Sequence, residues 1–185
     1  IIDTNYPLMV HRDESLAAYP RDEKEIRRHI AEYFAMITHL DFEIGRLLDA
    51  LEKSGERDNT IIVFSGDNGL AVGQHGWLGK EDIYEHGVRI PLIMAGPGIA
   101  ENKRNDAYVY LYDIFPTLCE KVGIETPSSV DGKSFATLLD GEHGESFRDE
   151  LYLIFDKFVR GVKDDNYKLI EYRNGDDESD KWTFL

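Results

Sequence analysis

Three side chains within fourteen residues could do chemistry together. Asp67 and Asn68 are adjacent oxygen donors, and Lys80 follows them by thirteen residues. Carboxylate and amide oxygens suit a hard cation such as calcium or magnesium better than zinc. A lysine near such an ion can neutralise an anion that the ion also holds. His75, between Gln74 and Gly76, adds a titratable ring to the same stretch. Each residue also has a plainer reading. Asp-Asn-Gly is a common turn. Lysine sits in solvent by default. His75 could bond an anion or a leaving group, or merely brace its loop.

These residues need a scaffold. Ile61 to Phe64 is apolar, so Thr60–Phe64 reads as a strand that ends in the sharp Ser65-Gly66 turn before Asp67. A buried strand that delivers polar side chains at its carboxyl end is the way α/β sheets build ligand sites. Residues 65–87 carry six glycines, at 66, 69, 73, 76, 79 and 87, and little periodicity. A long loop of that kind is more often functional than idle. Arg89–Ala95 is a second apolar strand, closed by Gly96-Pro97-Gly98.

Upstream, acidic residues from Asp22 open a helix that Ser54-Gly55 closes. Ile26, Ile30, Tyr33, Ile37, Leu40, Ile44, Leu47 and Leu51 repeat at alternating spacings of four and three, the stripe of a long amphipathic helix. A helix leading into a strand without a hairpin turn suggests a crossover unit in a largely parallel sheet. Residues 1–21 have no period. Residues 107–123 read as a helix with Asp113 as cap and Pro116 in the first turn. Tyr108, Tyr110 and Tyr112 fit packing better than a sugar-binding stripe. Leu151–Phe155, Phe158–Lys163 and Tyr167–Tyr172 are short strands of a small antiparallel sheet, followed by an acidic turn at 174–180 and a final strand-like Trp182-Thr183-Phe184-Leu185. Arg89 is expected to brace Glu85 or the loop. His29 and His39 lie on the long helix, and His11 and His143 carry no pattern.

The ordered motifs Asp67-Asn68-Gly69, Gly73-Gln74-His75-Gly76, Gly79-Lys80 and Tyr84-Glu85-His86-Gly87-Val88-Arg89-Ile90-Pro91-Leu92 resemble the sulfatases of the alkaline-phosphatase superfamily. Leu40-Asp41 with Ile44-Gly45, and Asp113-Ile114-Phe115-Pro116-Thr117-Leu118 with Gly123-Ile124, extend the resemblance over roughly residues 25–185. It implies the C-terminal half of an alkaline-phosphatase-like α/β fold, mainly a parallel sheet with helices, in residues 1–149. A small antiparallel subdomain follows in residues 150–185. It implies hydrolysis of a small-molecule or glycan sulfate ester. Asp67 and Asn68 would be calcium ligands, Lys80 a sulfate contact and His75 a possible second one. Asn rather than His at position 68 leans toward sulfatase-type calcium.

The resemblance also implies a formylglycine nucleophile, made from a Cys or Ser in a C/S-x-P/A-x-R context. Cys119 and the serines all lack that context, and the family's first pair of metal aspartates has no counterpart. Both ends therefore read as cut, and the chain alone is expected to be inactive. A phosphate or phosphonate ester hydrolase of the same superfamily is one alternative. A non-catalytic binding or assembly domain that retains the fold is another.

Composition sets outer limits. With 185 residues, 42% of them hydrophobic, the chain can bury a core. The net charge of −15 argues against nucleic acid as a partner. A local cationic cleft can still attract an anion within an acidic surface. No apolar run reaches the ~20 residues of a membrane span, and no signal peptide is visible. The family leaning is extracytoplasmic. A single cysteine excludes an internal disulfide.

Overall fold

The computed structural model describes residues 16–18, 20–141, 147–156, 159–173 and 181–184. The reading of residues 1–15 as irregular, of His11 and His143, of Phe158 as a strand residue, of the turn at 174–180 and of Leu185 lies outside the described residues.

Helix α1 runs over Glu23–Ser54. The Asp22 side chain accepts a hydrogen bond from the Lys24 amide at its start, and Gly55 at φ 76° closes it, its N–H donating to the Glu52 carbonyl. Both ends are thus satisfied as a helix requires. The apolar stripe is real, yet no residue of α1 is buried. Ile37, Leu40 and Leu47 of the stripe are exposed, as are Phe34, Met36 and Phe42 beside it.

Strand β1 (Ile62–Ser65) is joined to β4 (Leu92–Ala95) by the glycine-rich segment. The two pair antiparallel, with Val63 opposite Met94 and Ser65 opposite Leu92. Both are shorter than the apolar runs suggest. The connection holds only a two-stranded hairpin and one helical turn. A return without a crossover helix brings the chain back antiparallel. The parallel partner that a crossover after α1 implies is not among the described strands.

The intervening segment holds several buried residues and short regular elements rather than being an irregular loop. Strands β2 (Ala71–Val72) and β3 (Leu78–Gly79) form a small antiparallel hairpin. Helix α2 (Glu85–Val88) is a single turn. Ala71, Trp77, Leu78, Asp82 and Ile83 are all buried.

Helix α3 (Ile114–Lys121) follows a 3-10 turn at Leu111–Asp113. Pro116 falls in its first turn, where a missing amide costs nothing. Asp113 takes the cap position, but its side chain does not cap the helix. Its carboxylate instead accepts bonds from the Tyr110 amide (2.7 Å), the Lys133 amide (2.8 Å) and both terminal nitrogens of Arg148 (2.6 and 2.8 Å). It is fully buried. A buried carboxylate is tolerable only when paired and bonded in this way. Thr117 continues the network, donating to the Asp113 carbonyl and accepting from the Phe135 amide just before α4 (Ala136–Leu139).

The last element is an antiparallel sheet of four strands in the order β5-β6-β7-β8: Leu151–Phe155, Val159–Lys163, Lys168–Arg173 and Lys181–Phe184. One face carries Val159, Ile170 and Tyr172, which pack with Ile83 into a core that Tyr84, Val88, Leu153 and Phe155 border. Tyr110 ties the sheet to the 3-10 turn, since its hydroxyl accepts from the Tyr152 amide and donates to the Tyr152 carbonyl. Its ring stacks on Tyr112 at 4.9 Å. The Tyr108 hydroxyl likewise donates to the Asp164 carbonyl, so anchoring accounts for Tyr108 and Tyr110, whereas Tyr112 is exposed and not buried by packing as expected.

Candidate functional site

The site begins where β1 ends. Asp67 and Asn68 are both exposed there. Asp67 Oδ1 accepts the Asn68 amide at 2.9 Å, and Asn68 Nδ2 donates to the Gly69 carbonyl at 2.8 Å. These local bonds fix both side chains, and among the described residues no other donor meets Asp67 Oδ2 or Asn68 Oδ1. One carboxylate and one amide oxygen at a strand end match the preference of calcium for hard oxygen ligands. They would fill only part of its shell of six to eight. Among the described residues no three His, Cys, Asp or Glu side chains gather as a metal cluster.

Gly69 shows how tightly this edge is held. Its amide donates to the Gly87 carbonyl at 2.8 Å. A Cβ added there would stand 1.9 Å from the His86 carbonyl oxygen. Only glycine permits that approach, so the backbone of α2 fixes the position of Asp67-Asn68.

The β2–β3 hairpin brings Lys80 back. Ala71 pairs with Gly79 and Val72 with Leu78. Continuing that register sets Lys80 opposite Leu70, two residues from Asn68. Lys80 is exposed, and among the described residues it makes no ion pair. Its ammonium is free to meet an anion.

His75 lies at the hairpin tip with φ 54°. Gly73 and Gly76 flank it at φ 103° and 76°. The left-handed conformation turns the ring onto Tyr84, with centroids 4.4 Å apart. His86 lies 5.7 Å from it and Trp77 6.0 Å. His86 is fixed in turn, with Nε2 at 2.9 Å from Asp82 Oδ2. The other Asp82 oxygen accepts the Tyr84 amide at 2.8 Å. The structure therefore joins His75 to an ordered aromatic group over α2, while Lys80 stands beside the Asp67-Asn68 edge.

Glu85 is braced, but not by Arg89, which is exposed. Lys163 Nζ donates to Glu85 Oε2 at 2.8 Å and Lys168 Nζ to Oε1 at 2.9 Å. Arg89 is two positions beyond the turn's third residue and faces solvent, whereas both lysines point from the packed sheet toward α2. Burial pushes the Glu85 carboxyl up, but the two lysines outweigh it and hold it below the ordinary carboxylate value. Burial lowers the Lys168 ammonium, against the pull of Glu85. Sequence reasoning missed Asp82, Lys163 and Lys168. The spacing of four between Asp82 and His86 was a usable signal. Lysines some eighty residues away gave none.

Comparison with known proteins adds an independent line. The family model described as Sulfatase matches residues 8–124. A second, N-sulphoglucosamine sulphohydrolase C-terminal, matches residues 73–184. An N-acetylglucosamine-6-O-sulfatase of Bacteroides thetaiotaomicron is 34% identical over 163 residues, covering 82% of this chain and 29% of the relative. The solved structure of BT4656 in complex with its substrate D-glucosamine-2-N,6-O-disulfate superposes with a TM-score of 0.80 at 31% identity, over 92% of this chain and 36% of that one. The phosphonate monoester hydrolase SpPMH from Silicibacter pomeroyi gives a TM-score of 0.75 at 28% identity, over 84% of this chain and 34% of that one. The chain thus spans about a third of the length of the relatives it matches. The alkaline-phosphatase-like α/β fold expected from the motifs is the fold of these neighbours.

Proposed function

The chain belongs to the sulfatase family, and on that premise we propose that it contributes a metal edge and an anion contact to the hydrolysis of a sulfate ester. The observation that carries the reading is the convergence at the end of β1. Asp67 and Asn68 present unspent oxygens, and the hairpin register returns a free Lys80 beside them.

In this reading Asp67 and Asn68 hold calcium, with further oxygens supplied from outside the chain. A calcium ion bound there would offset the negative charge of a sulfate oxygen. Lys80 neutralises a second sulfate oxygen through its ammonium, an electrostatic contribution that grows as charge shifts in the transition state. His75, stacked on Tyr84, is in this reading a possible further contact to the sulfate or the leaving group. The family's formylglycine would come from a residue outside these 185. The named relatives favour a sulfated amino sugar as substrate, the small-molecule or glycan ester that the motifs imply. An extracytoplasmic location is proposed on the same family ground, to be checked by cell fractionation.

A second reading, hydrolysis of a phosphonate or phosphate ester, is favoured by the likeness to a phosphonate monoester hydrolase. The two separate in one experiment. The protein that carries this chain, with its nucleophile, is assayed on glucosamine 6-sulfate, 4-nitrophenyl sulfate and a phenylphosphonate monoester, with metal content measured alongside. Sulfate-ester turnover with calcium, abolished by Asp67→Ala, supports the first reading. Preferential phosphonate turnover with zinc or manganese replaces it by the second. Robust aryl sulfate turnover by the 185-residue chain alone refutes the view that the attacking group lies outside it.

A further inference from the structure

The C-terminal sheet reaches the Asp67-Asn68 edge through a short chain of contacts. Lys163 and Lys168 are register partners on β6 and β7, so two ammonium-bearing side chains stand directly across from one another. Like charges in that relation destabilise a strand pair. Their side chains are only 21% and 15% exposed, which limits relief by solvent. Glu85 resolves the conflict by giving one oxygen to each lysine. Glu85 is the first residue of α2, and two residues later the Gly87 carbonyl accepts the Gly69 amide. Gly69 follows Asn68 directly. Between the same two bodies, Ile83 is packed so closely that a Cβ on Gly161 of β6 would lie 2.6 Å from its Cδ1.

We propose that Glu85, Lys163 and Lys168 form a positioning group, through which the C-terminal sheet sets the Asp67-Asn68 edge by way of Gly87 and Gly69. Glu85 touches no substrate in this scheme. It holds α2 at a fixed distance from the sheet, and α2 holds the backbone that carries the oxygen donors. What the edge is positioned for rests on the sulfate-ester reading, but the linkage itself does not.

The test is site-resolved amide hydrogen exchange on this chain, in which no substrate or metal takes part. In Glu85→Gln the Gly69 amide is expected to exchange roughly tenfold faster, the scale of losing a charged hydrogen bond. The β6 amides of Gly161 and Val162, central in the sheet, should keep their rates. If Gly69 is unchanged, the linkage is wrong. If Gly69 and the β6 amides speed up together, the effect is general loosening and the positioning role is equally wrong. Should Glu85→Gln not fold, Lys168→Gln is the variant to read, since it leaves the Lys163–Glu85 bond and should give a smaller rise confined to Gly69. Esterase assays on the carrier protein then report separately. If the exchange test is passed but the carrier protein hydrolyses no sulfate ester, the linkage stands and the sulfatase reading is lost. The reverse result loses only the linkage.

Discussion

Replacing Asp113 by alanine should be among the most damaging single changes in this chain, and the cost can be built from its contacts. The carboxylate is fully buried and takes four hydrogen bonds. Two come from backbone amides, Tyr110 and Lys133, that would be left without this partner. A buried donor without a partner costs about 1–3 kcal/mol. The other two come from Arg148, whose side chain is only 17% exposed. Removing one partner of a buried ion pair costs about 3–5 kcal/mol, much of it the buried charge that loses its carboxylate. These contributions overlap, and the guanidinium also lies over the Tyr110 and Phe147 rings, which soften its loss. The expected loss is therefore about 4 kcal/mol rather than the full total. Equilibrium urea denaturation followed by circular dichroism measures it. Glu23→Ala is the control, because it removes the exposed Arg27–Glu23 pair and one first-turn acidic charge of α1 and should cost no more than about 1 kcal/mol. An Asp113→Ala loss under about 1 kcal/mol, close to the control, would refute the reasoning. It would mean that the residues around the carboxylate relax or admit water at little cost.

Three further outcomes are expected. In the ester-hydrolysing protein, Asp67→Ala should lower kcat/KM more than Lys80→Ala, since losing a metal carboxylate disturbs the ion as well as the charge. Lys80→Ala removes one anion contact, about 2–4 kcal/mol of transition-state stabilisation, and steady-state kinetics with metal analysis reads both. Gly69→Ala should destabilise the chain by about 2 kcal/mol or more, because the new Cβ meets the His86 carbonyl at 1.9 Å; a urea midpoint like that of the parent contradicts the close approach. Glu85 adds an acid-side pH dependence. Its folded-state carboxyl lies below the ordinary 4.5, so its contribution is fully present above that value and is lost as pH falls through the folded-state value. Glu85→Gln should flatten that part of the stability–pH curve, and an unchanged acid limb counts against the lysine pair.

The parts of this molecule that were legible in its sequence are those whose order is local. The caps and period of α1 sit within a few residues of one another, so Asp22, the stripe and Gly55 announced the helix and its ends. The short apolar run Leu151–Phe155, set off by turns, announced a strand of that length. The Asp67-Asn68 edge was legible because strand, turn and polar pair are contiguous. What was not legible is order that arises between distant segments. Nothing near Glu85 signals Lys163 or Lys168. The sequence around Asp113 favours a helix cap, and its pairing with Arg148 depends on where residue 148 arrives in space. The sparing of Gly69 reads as turn flexibility, whereas the structure assigns it to contact with α2.

The same distinction explains an apparent inversion between α1 and the segment from Leu70 to His86. The helix has the strongest hydrophobic period in the chain and no buried residue. The glycine-rich segment has almost no period and holds Ala71, Trp77, Leu78, Asp82 and Ile83 out of solvent. Period measures whether a segment can present one apolar face, and α1 can. Burial measures whether something covers that face. A hairpin of two-residue strands cannot build a face at all, so it must be enclosed side chain by side chain: Ile83 by the sheet, Tyr84 by His75 and Trp77, Gly73 by Ile26 of α1. Enclosure of that kind fixes the backbone more narrowly than a stripe does, since each contact constrains a different residue. A site that must hold oxygen donors in place is therefore better served by the irregular segment than by the regular one.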